Sequence, residues 1–429
     1  MFEPTGSRRD AASVIFNLPG YRVIDAVDLP LGGRRVKVQP VDVSAGCPAC
    51  EVVSSRVHAW SVQRIRDVPL AGRVEVVVRK ARLVCAEADC GRRTFTPASA
   101  QLPVRARCTT RLKVAVLDAV VDSGRAVAEV AAAHGVAWWT VQATVTAAAV
   151  LLPEVDDLHV RRLGIDEHRY RSVRWFRDEH GGWRRVEPWM STIVNADSGQ
   201  VLGIVDGRDS AAVGGWLTAR TPAWRDRIEV VAIDPSAAFK KAITDALPDA
   251  QISVDGFHLV QLANLMVTRV RQRLVRDREH RRGRKIDPAW AHRMLLLRGY
   301  DTLSARARAR LDRVFTDDDP TDELSAAWGV KEQLRRLLKA ATLEQARTEK
   351  MTLGRYVLAA DMDETTRLWN TICAWWPAIE VLITTRVTNA RTEAANTAIK
   401  QIKRTGRGYR NGAHYQARIL LRSAARRAA

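Results

Sequence analysis

Two aspartates and one glutamate have the setting of metal-binding carboxylates. Asp166 lies in the segment "RRLGIDEHRYR", and Asp234 ends the buried-strand pattern "RIEVVAIDPS". Two neighbouring carboxylates repel each other, which raises the pKa of one of them unless a cation is shared. Mg²⁺ takes oxygen ligands, and a pair of such ions can hold both the attacking and the leaving oxygen of a phosphoryl displacement. We therefore predict a site for two Mg²⁺ or Mn²⁺ ions, completed by an acid from a later helix, with Glu393 as the candidate.

The segments around these acids predict the elements that bring them together. From about residue 160 the pattern indicates three strands, a helix, a strand, a second helix and a fifth strand that runs into a helix. This β-β-β-α-β-α-β order is that of the ribonuclease H-like fold, an α/β core in which the first and fourth strands are neighbours. Asp166 and Asp234 would then lie side by side. A lone aspartate at a strand end is most often a turn or cap residue, so the prediction depends on the acids taken together.

The stretch between the fifth strand and Glu393 has apolar residues at helical spacing. We predict an all-α insertion over residues 263–383. Three tryptophans lie close together in it: Trp369, Trp375 and Trp376. Core packing is the first interpretation of these rings, and stacking on an unpaired or flipped base is the alternative.

Four of the six cysteines form two close pairs near the N-terminus: Cys47 with Cys50, and Cys85 with Cys90. Two such knuckles joined by strands can arrange four thiolates tetrahedrally around zinc. The alternatives are two disulfides or four unrelated thiols. The segment "MFEPTGSRRD" lacks the hydrophobic region of a signal peptide, which disfavours disulfides. We expect a structural Zn²⁺, because a closed four-cysteine site leaves no position for a substrate.

The segment "RAVAEVAAAHGVAWWTVQATVTAA" has the spacing of a helix-turn-helix. Ala131 supplies the small residue at the helix crossing, Gly135 the tight turn, and Val141 the anchor of the second helix. The recognition helix is predicted to start near Trp138. Its residues on or near the exposed side would be Trp139, Thr140, Gln142 and Ala143. The alternative is a generic alanine-rich helical hairpin.

The net charge of +20 and the pI near 10.4 suit a polyanionic partner, nucleic acid before a membrane surface. Residues 384–429 hold eleven Lys or Arg against one acid, and residues 269–285 form a second basic run. A solvated helix face is the plainer interpretation of such runs. We predict contacts to the DNA backbone from Lys400, Lys403, Arg404, Arg407 and Arg410. No run of 18 apolar residues is present, so we expect no membrane partner and a cytoplasmic protein.

Four blocks of the chain resemble the signature blocks of the ISL-three family of insertion-sequence transposases. They are "LGIDEH", "VVAIDPSAAFKKAI", "VDGFHLVQLAN" and "TNARTEAANTAIKQIKRTGRGYRN". That family also carries a zinc domain and a helix-turn-helix in the same order. It is a DDE transposase group, so the resemblance implies Asp166, Asp234 and Glu393 as the metal-binding triad. Asp255 and His258 match a further family block. Asp255 is the alternative second acid, or a supporting ligand or orienter of His258, but the strand order favours Asp234.

The resemblance implies a DNA transposase of a bacterial insertion sequence. Such an enzyme would bind terminal inverted repeats, cut DNA and join the end to target DNA as a homodimer or larger assembly, associated with the nucleoid when bound to DNA. The alternatives are a non-catalytic DNA-binding regulator and a structure-specific nuclease of ribonuclease H-like fold. The predicted domains are a zinc ribbon (1–100), a helix-turn-helix (101–155), the first part of the catalytic core (156–262), the helical insertion (263–383) and the C-terminal part of the core with a basic tail (384–429).

Overall fold

The computed structural model describes residues 10–70 and 72–428, which divide into two compact units. The first unit comprises the described residues up to Leu152 together with those from Ile402 onward, and the second is Pro153–Gln401. Residues 1–9 lie outside the described residues. They are the start of the predicted 1–100 domain and most of the segment "MFEPTGSRRD". The segment 384–429, predicted to hold the C-terminal helix of the core and a basic tail, is divided between the two units at Ile402.

The first unit begins with a helix and a sheet built around one long central strand. After α1 (Ala11–Phe16) come β1 (Tyr21–Leu29), β2 (Gly33–Pro40), β3 (Ala45–Gly46), β4 (Val53–Ser54), β5 (Val57–Ile65), β6 (Val74–Val84) and β7 (Thr94–Phe95). The sheet order is β1-β2-β6-β5, β7 also pairs with β6, and β3 and β4 form a separate hairpin. Val76 and Val78 of β6 are fully buried because a strand turns alternate side chains to one face.

Three helices follow in the first unit: α2 (Thr110–Val121), α3 (Val127–His134) and α4 (Trp138–Val150). Gly135 ends α3 with φ +62°, a left-handed conformation that glycine adopts at no steric cost. Val130 and Val141 are fully buried between the helices. The second helix of the predicted helix-turn-helix therefore begins at Trp138, as the spacing predicts.

The second unit is built on a five-stranded mixed sheet. Its elements in chain order are β8 (Arg162–Arg169), β9 (Arg174–Arg177), β10 (Trp183–Val186), β11 (Trp189–Asn195), β12 (Val201–Asp206), α5 (Ser210–Thr218), α6 (Pro222–Arg225), β13 (Val230–Ile233), α7 (Ala237–Ala246) and β14 (Gln251–Val254). The sheet order is β12-β11-β8-β13-β14, with β8, β13 and β14 parallel and the other pairs antiparallel. All four residues of β13 are buried, as expected for a parallel strand covered on both faces. The sequence patterns did not predict α6 or the separate hairpin of β9 and β10.

The remaining helices are α8 (Gly256–Glu279), α9 (Pro288–Ala291), α10 (Arg293–Leu297), α11 (Ala305–Asp318), α12 (Glu323–Leu338), α13 (Leu343–Ala360), α14 (Asp363–Ala374), α15 (Trp376–Thr385), α16 (Ala390–Thr405) and α17 (Gly412–Ala428). Helix α12 buries one face in the helical core through Leu324, Ala327, Val330, Leu334 and Leu337. The three neighbouring tryptophans are partly buried against this core, so their interpretation as packing residues is confirmed.

Helix α17 belongs to the first unit because its apolar face packs on the helix-turn-helix. Leu421 lies in the same buried cluster as Val141 and Val145 of α4. Arg418 donates hydrogen bonds to the backbone carbonyls of Gly124 and Arg125 at 2.8 Å.

None of the helices in the described part of the chain has both the length and the apolar character that crossing a bilayer requires.

Candidate active site

The register of the three parallel strands brings three aspartates into one row at the carboxyl edge of the sheet. The preceding residues, Ile165, Ile233 and Val254, pair in register across the strands. The residues that follow them are Asp166, Asp234 and Asp255. Since β13 lies between β8 and β14, Asp234 is the neighbour of Asp166, and Asp255 lies one strand further out.

Asp166 is half-buried and faces a second carboxylate. Burial and the negative charge of Asp234 raise the pKa of Asp166 to about 6. Two hydrogen bonds oppose this shift: Asn396 Nδ2 donates to Oδ2 at 2.7 Å, and the backbone N–H of Glu167 donates to Oδ1 at 2.7 Å. The raised pKa means that ionising both aspartates is energetically unfavourable. A bound cation would offset their repulsion.

We expect Asp166→Asn to stabilise the protein in Mg²⁺-free buffer at pH 8. The rise in the pKa of Asp166 from 3.8 to about 6 corresponds to a destabilisation of the folded state by about 3 kcal/mol, at 1.36 kcal/mol per pKa unit. Asparagine accepts one hydrogen bond fewer, so the expected gain in the free energy of unfolding is roughly 1–2 kcal/mol. Because the pKa of Asp166 is raised in the folded state, its ionisation does not destabilise the wild type below pH 4. The destabilisation grows between pH 4 and pH 6 and has its full size above pH 6. Thermal unfolding of the zinc-loaded protein from pH 4 to 8 measures this. A variant no more stable than wild type at pH 8 would contradict it.

Two asparagines fasten the acids to the helix that carries Glu393. Asn389, fully buried, donates through Nδ2 to Asp234 Oδ1 at 3.2 Å and to the Ile165 carbonyl at 3.3 Å. Asn396 holds Asp166 and accepts through Oδ1 from the Thr192 hydroxyl at 2.7 Å. The Glu393 N–H in turn donates to the Asn389 carbonyl. One segment therefore positions two aspartates and the glutamate at once.

The close approach of this segment to β8 depends on Gly164. A Cβ at that position would lie 2.0 Å from Thr392 Oγ1 and 3.0 Å from Asn389 Oδ1, both on buried residues. The first of these distances is shorter than real Cβ atoms show, so a larger residue would require the Thr392 side chain or α16 itself to shift. The glycine is required here for space and not for its backbone conformation.

Asp255, His258 and Glu393 form a compact group of potential metal ligands. One ligand atom from each lies within 4.8 Å of the others, whereas the predicted triad does not itself form so compact a group among the described residues. His258 Nε2 donates to Asp234 Oδ2 at 3.0 Å, and this hydrogen bond raises the pKa of the imidazole. Asp255 is also structural, since Oδ1 accepts from the Phe257 N–H at 2.6 Å and caps α8.

The residues present fit one or more divalent cations bound through oxygen. Carboxylates are the ligands that Mg²⁺ prefers, and four acids converge at this edge of the sheet. Three buried polar atoms beside them have no hydrogen-bond partner among the described residues: His258 Nδ1, Asn389 Oδ1 and Thr392 Oγ1. Buried polar atoms are normally satisfied, so this surplus is consistent with a site that completes its bonding with an ion and its waters.

The four paired cysteines form a second potential metal site. Cys47 and Cys50 lie in the turn between β3 and β4, while Cys85 follows β6 and Cys90 precedes β7. The four Sγ atoms lie within 4.8 Å of one another, with separations of 3.9 Å and 3.5 Å for two pairs. Tetrahedral Zn–S bonds of about 2.3 Å require Sγ separations of about 3.8 Å. All four thiols are free, so the disulfide alternative is wrong and the arrangement supports structural zinc.

The predicted recognition helix exposes some of its expected DNA contacts and not others. Trp139 is 70% exposed, Thr140 is half-buried, and both Trp138 and Trp139 contact the ring of His414. Gln142 is only 3% exposed, and its Nε2 donates to Thr146 Oγ1 at 3.3 Å. The prediction of an outward-facing Gln142 is wrong because this residue lies beside Val141 on the side of α4 that packs in the domain.

The predicted basic contacts follow Glu393 along and beyond α16. Lys400 and Arg404 are exposed and Lys403 is half-buried. Arg407 and Arg410 are exposed but lie after the end of α16 at Thr405, so the helical spacing does not extend to them. Arg407 has φ +53° and lies 3.7 Å from Glu129, both side chains being largely exposed. Their contacts to DNA stay a prediction.

The sequence analysis missed Asn389 and Asn396 as site residues. A signal for them exists, because Asn389, Glu393, Asn396 and Lys400 recur at the four- and three-residue spacing of one helical face. Amides on the face of a helix that presents a metal-binding acid can hold other carboxylates, which the search for acids alone overlooked.

Three segments of the chain match families of known proteins. Residues 163–419 match a family described as transposase, residues 44–93 the zinc-finger of the transposases IS204, IS1001, IS1096 and IS1165, and residues 101–149 the helix-turn-helix domain of transposase family ISL3. The chain is 27% identical over 297 residues to the transposase for insertion sequence element IS1001 of Bordetella parapertussis, across 68% of this chain and 67% of that protein. The Drosophila P element transposase strand transfer complex matches 73% of this chain and 91% of its own, with 8% identity and a TM-score of 0.39, too low to establish a shared fold.

Proposed function

We propose that the chain cuts and joins DNA by a DDE mechanism, because it belongs to the transposase family ISL3, whose signature blocks its sequence resembles. Asp166, Asp234 and Glu393 are the acids of that mechanism. The observation that carries the proposal is the register of β8 and β13, in which Asp234 follows the residue paired with Ile165. The sheet order β12-β11-β8-β13-β14 supports a ribonuclease H-like core.

The triad would hold two Mg²⁺ or Mn²⁺ ions, with Asp255 and His258 in supporting positions. When bound, the ions supply charge neutralisation at the attacking and leaving oxygens of the phosphoryl displacement. The protein's own part is positional. Asn396 fixes one oxygen of Asp166, and Asn389 together with His258 fixes both oxygens of Asp234. Both aspartates are thereby oriented before any ligand arrives, which lowers the reorganisation needed during reaction.

The DNA would be held by the first unit and by basic residues after Glu393. The zinc ribbon and helix-turn-helix would read the terminal inverted repeats, with Trp139 and Thr140 on α4 as contacts. Lys400, Lys403, Arg404, Arg407 and Arg410 would bind phosphates, which position a duplex without reading its sequence. Joining two ends to a target calls for a homodimer or larger assembly. The enzyme would act on DNA in the bacterial cytoplasm, in association with the nucleoid.

A strand-transfer assay tests the proposal. Wild-type protein is incubated with labelled ends of its own element and a target plasmid, with Mg²⁺, with Mn²⁺ or without divalent ion. We expect nicked ends and joined products only with Mg²⁺ or Mn²⁺. Binding without cleavage would indicate a DNA-binding regulator, and cleavage without joined product would indicate a structure-specific nuclease. Either result overturns the transposase assignment for this chain.

A further inference from the structure

The hairpin of β9 and β10 exposes an unusual set of side chains. Its strands read "RWFR" and "WRRV". Within the described part of the chain they pair only with each other and not with the five-stranded sheet. Trp175 is 57% exposed, Trp183 62% and Phe176 46%. A two-stranded hairpin without a covered apolar face is marginal by itself. Large exposed aromatic residues in such a ribbon indicate a binding surface.

The pairing register sorts these side chains into an alternating pattern. Trp175 is opposite Arg185, and Arg177 is opposite Trp183. Directly paired residues and those two apart share one face of a strand pair, so one face presents two tryptophans and two arginines, each tryptophan opposite an arginine. The Arg177 guanidinium lies 5.5 Å from the centre of the Trp183 ring. The other face carries Phe176 beside arginines.

We propose that this hairpin binds unpaired DNA next to the cleavage site, its tryptophans stacking on bases and its arginines contacting phosphates. The inference rests on the proposed function, because it names a DNA-contacting part of the same reaction. Aromatic side chains among basic ones are the arrangement that binds single strands without sequence preference, since every base offers a flat face to stack on. A two-stranded ribbon is also narrow enough to enter a DNA groove.

The position of the hairpin agrees with this role. It connects β8, which carries Asp166, with β11, whose Thr192 pairs with Asp166. Arg174, at the start of β9, follows Asp166 by eight positions, a span of at most about 28 Å even if fully extended. The hairpin therefore starts within a few nucleotides' length of the acids.

The charge of the hairpin favours DNA over a second copy of the chain as its partner. The two strands carry four arginines and no acid, and the two acids of the hairpin, Asp178 and Glu179, lie in its turn. Asp178 is engaged there, since its Oδ1 accepts from the N–H groups of His180 and Gly182. Arg185 pairs with Glu187 just beyond β10. A chain of net charge +20 offers this basic ribbon a less favourable surface than a polyanion does.

The test compares the double variant Trp175→Ala/Trp183→Ala with wild type in the full-length protein. Binding is measured by fluorescence anisotropy without divalent ions, on element ends that are fully paired and on the same ends carrying a single-stranded extension. We expect the variant to lose roughly 10- to 100-fold in affinity for the extended ends, with little change for paired ends. Trp175→Phe/Trp183→Phe should recover most of the loss. Tyr356→Ala, at an exposed aromatic residue on α13, is the control and should leave the affinity for paired ends and for extended ends unchanged.

A second measurement separates phosphate contact from a structural effect. Arg177→Gln should flatten the dependence of log affinity on log salt for extended ends by about 0.7 for one lost single-strand phosphate contact. If the double alanine variant binds both DNAs with the affinities of the wild type, the proposal is overturned. Unchanged DNA binding with a smaller oligomer in solution would assign the hairpin to an interface between copies instead. Because these assays need no cleavage, they remain informative if the protein proves unable to cut DNA.

Discussion

Asp234→Asn is expected to abolish cleavage and joining while DNA binding persists. The substitution keeps the shape of the side chain, and asparagine retains one oxygen to accept from Asn389 Nδ2 or His258 Nε2. It removes the negative charge that the proposed divalent ions would need at the centre of the row of aspartates. Loss of about 4 kcal/mol of transition-state stabilisation corresponds to a fall of about 10³-fold in the cleavage rate. Single-turnover cleavage of labelled ends measures the rate, and a gel-shift assay measures binding.

Asp245→Asn is the matched control for this variant. Asp245 lies on α7 in the same unit and makes an exposed ion pair with Lys241 at 2.8 Å, so its loss should leave the cleavage rate nearly unchanged. Asp255→Asn tests the alternative second acid. If Asp234→Asn still joins ends while Asp255→Asn does not, Asp255 and not Asp234 completes the triad.

Removal of zinc, or Cys85→Ser, is expected to unfold the part of the first unit around β3, β4 and β7. A structural zinc in small domains contributes about 10–16 kcal/mol to folding. The apolar cluster beside the thiols is small, consisting of Ala81, Leu83 and Phe95 with the buried Cys47, and offers little to replace the metal. Zinc content should fall from about one ion per chain to near none. Hydrogen exchange should lose protection in residues 45–54 and 85–95 and not in the second unit.

Cys373→Ser provides the comparison for the zinc experiment. Cys373 is an exposed thiol on α14, remote from the cysteine cluster in sequence and in the other unit. Its substitution should leave both the zinc content and the exchange pattern as in wild type. Wild-type protein purified without chelator and found to hold less than about half an equivalent of zinc would contradict the structural assignment.

The elements of the five-stranded sheet were predictable because their sequence signals are local. The run "VVAI" is wholly apolar and ends at an aspartate, which is the pattern of a buried parallel strand. The turn glycine of the helix-turn-helix and the start of α4 followed from spacing alone. Glu393 was a candidate because of the segment around it and its match to a family block, since its isolated sequence setting resembles that of any solvated helix acid.

What was missed depends on partners distant in the chain. The amphipathic pattern of α17 predicts a buried face but does not say that Leu421 packs against Val141. Gln142 was assigned to the exposed side of α4 without knowledge of what covers that helix. The strands of the hairpin, "RWFR" and "WRRV", lack the apolar alternation by which strands are recognised, because neither face is buried.

The distance along the chain between the acids and the amides that hold them has a consequence for synthesis. Asp166 is 230 residues upstream of Asn396, and Asp234 is 155 residues upstream of Asn389. All residues of β8 to β14 are translated before Glu393 and both asparagines. Until those later residues are made, the aspartates lack their amide donors and the third acid. Under the proposed mechanism, a product terminated before residue 389 would therefore be unable to cut DNA.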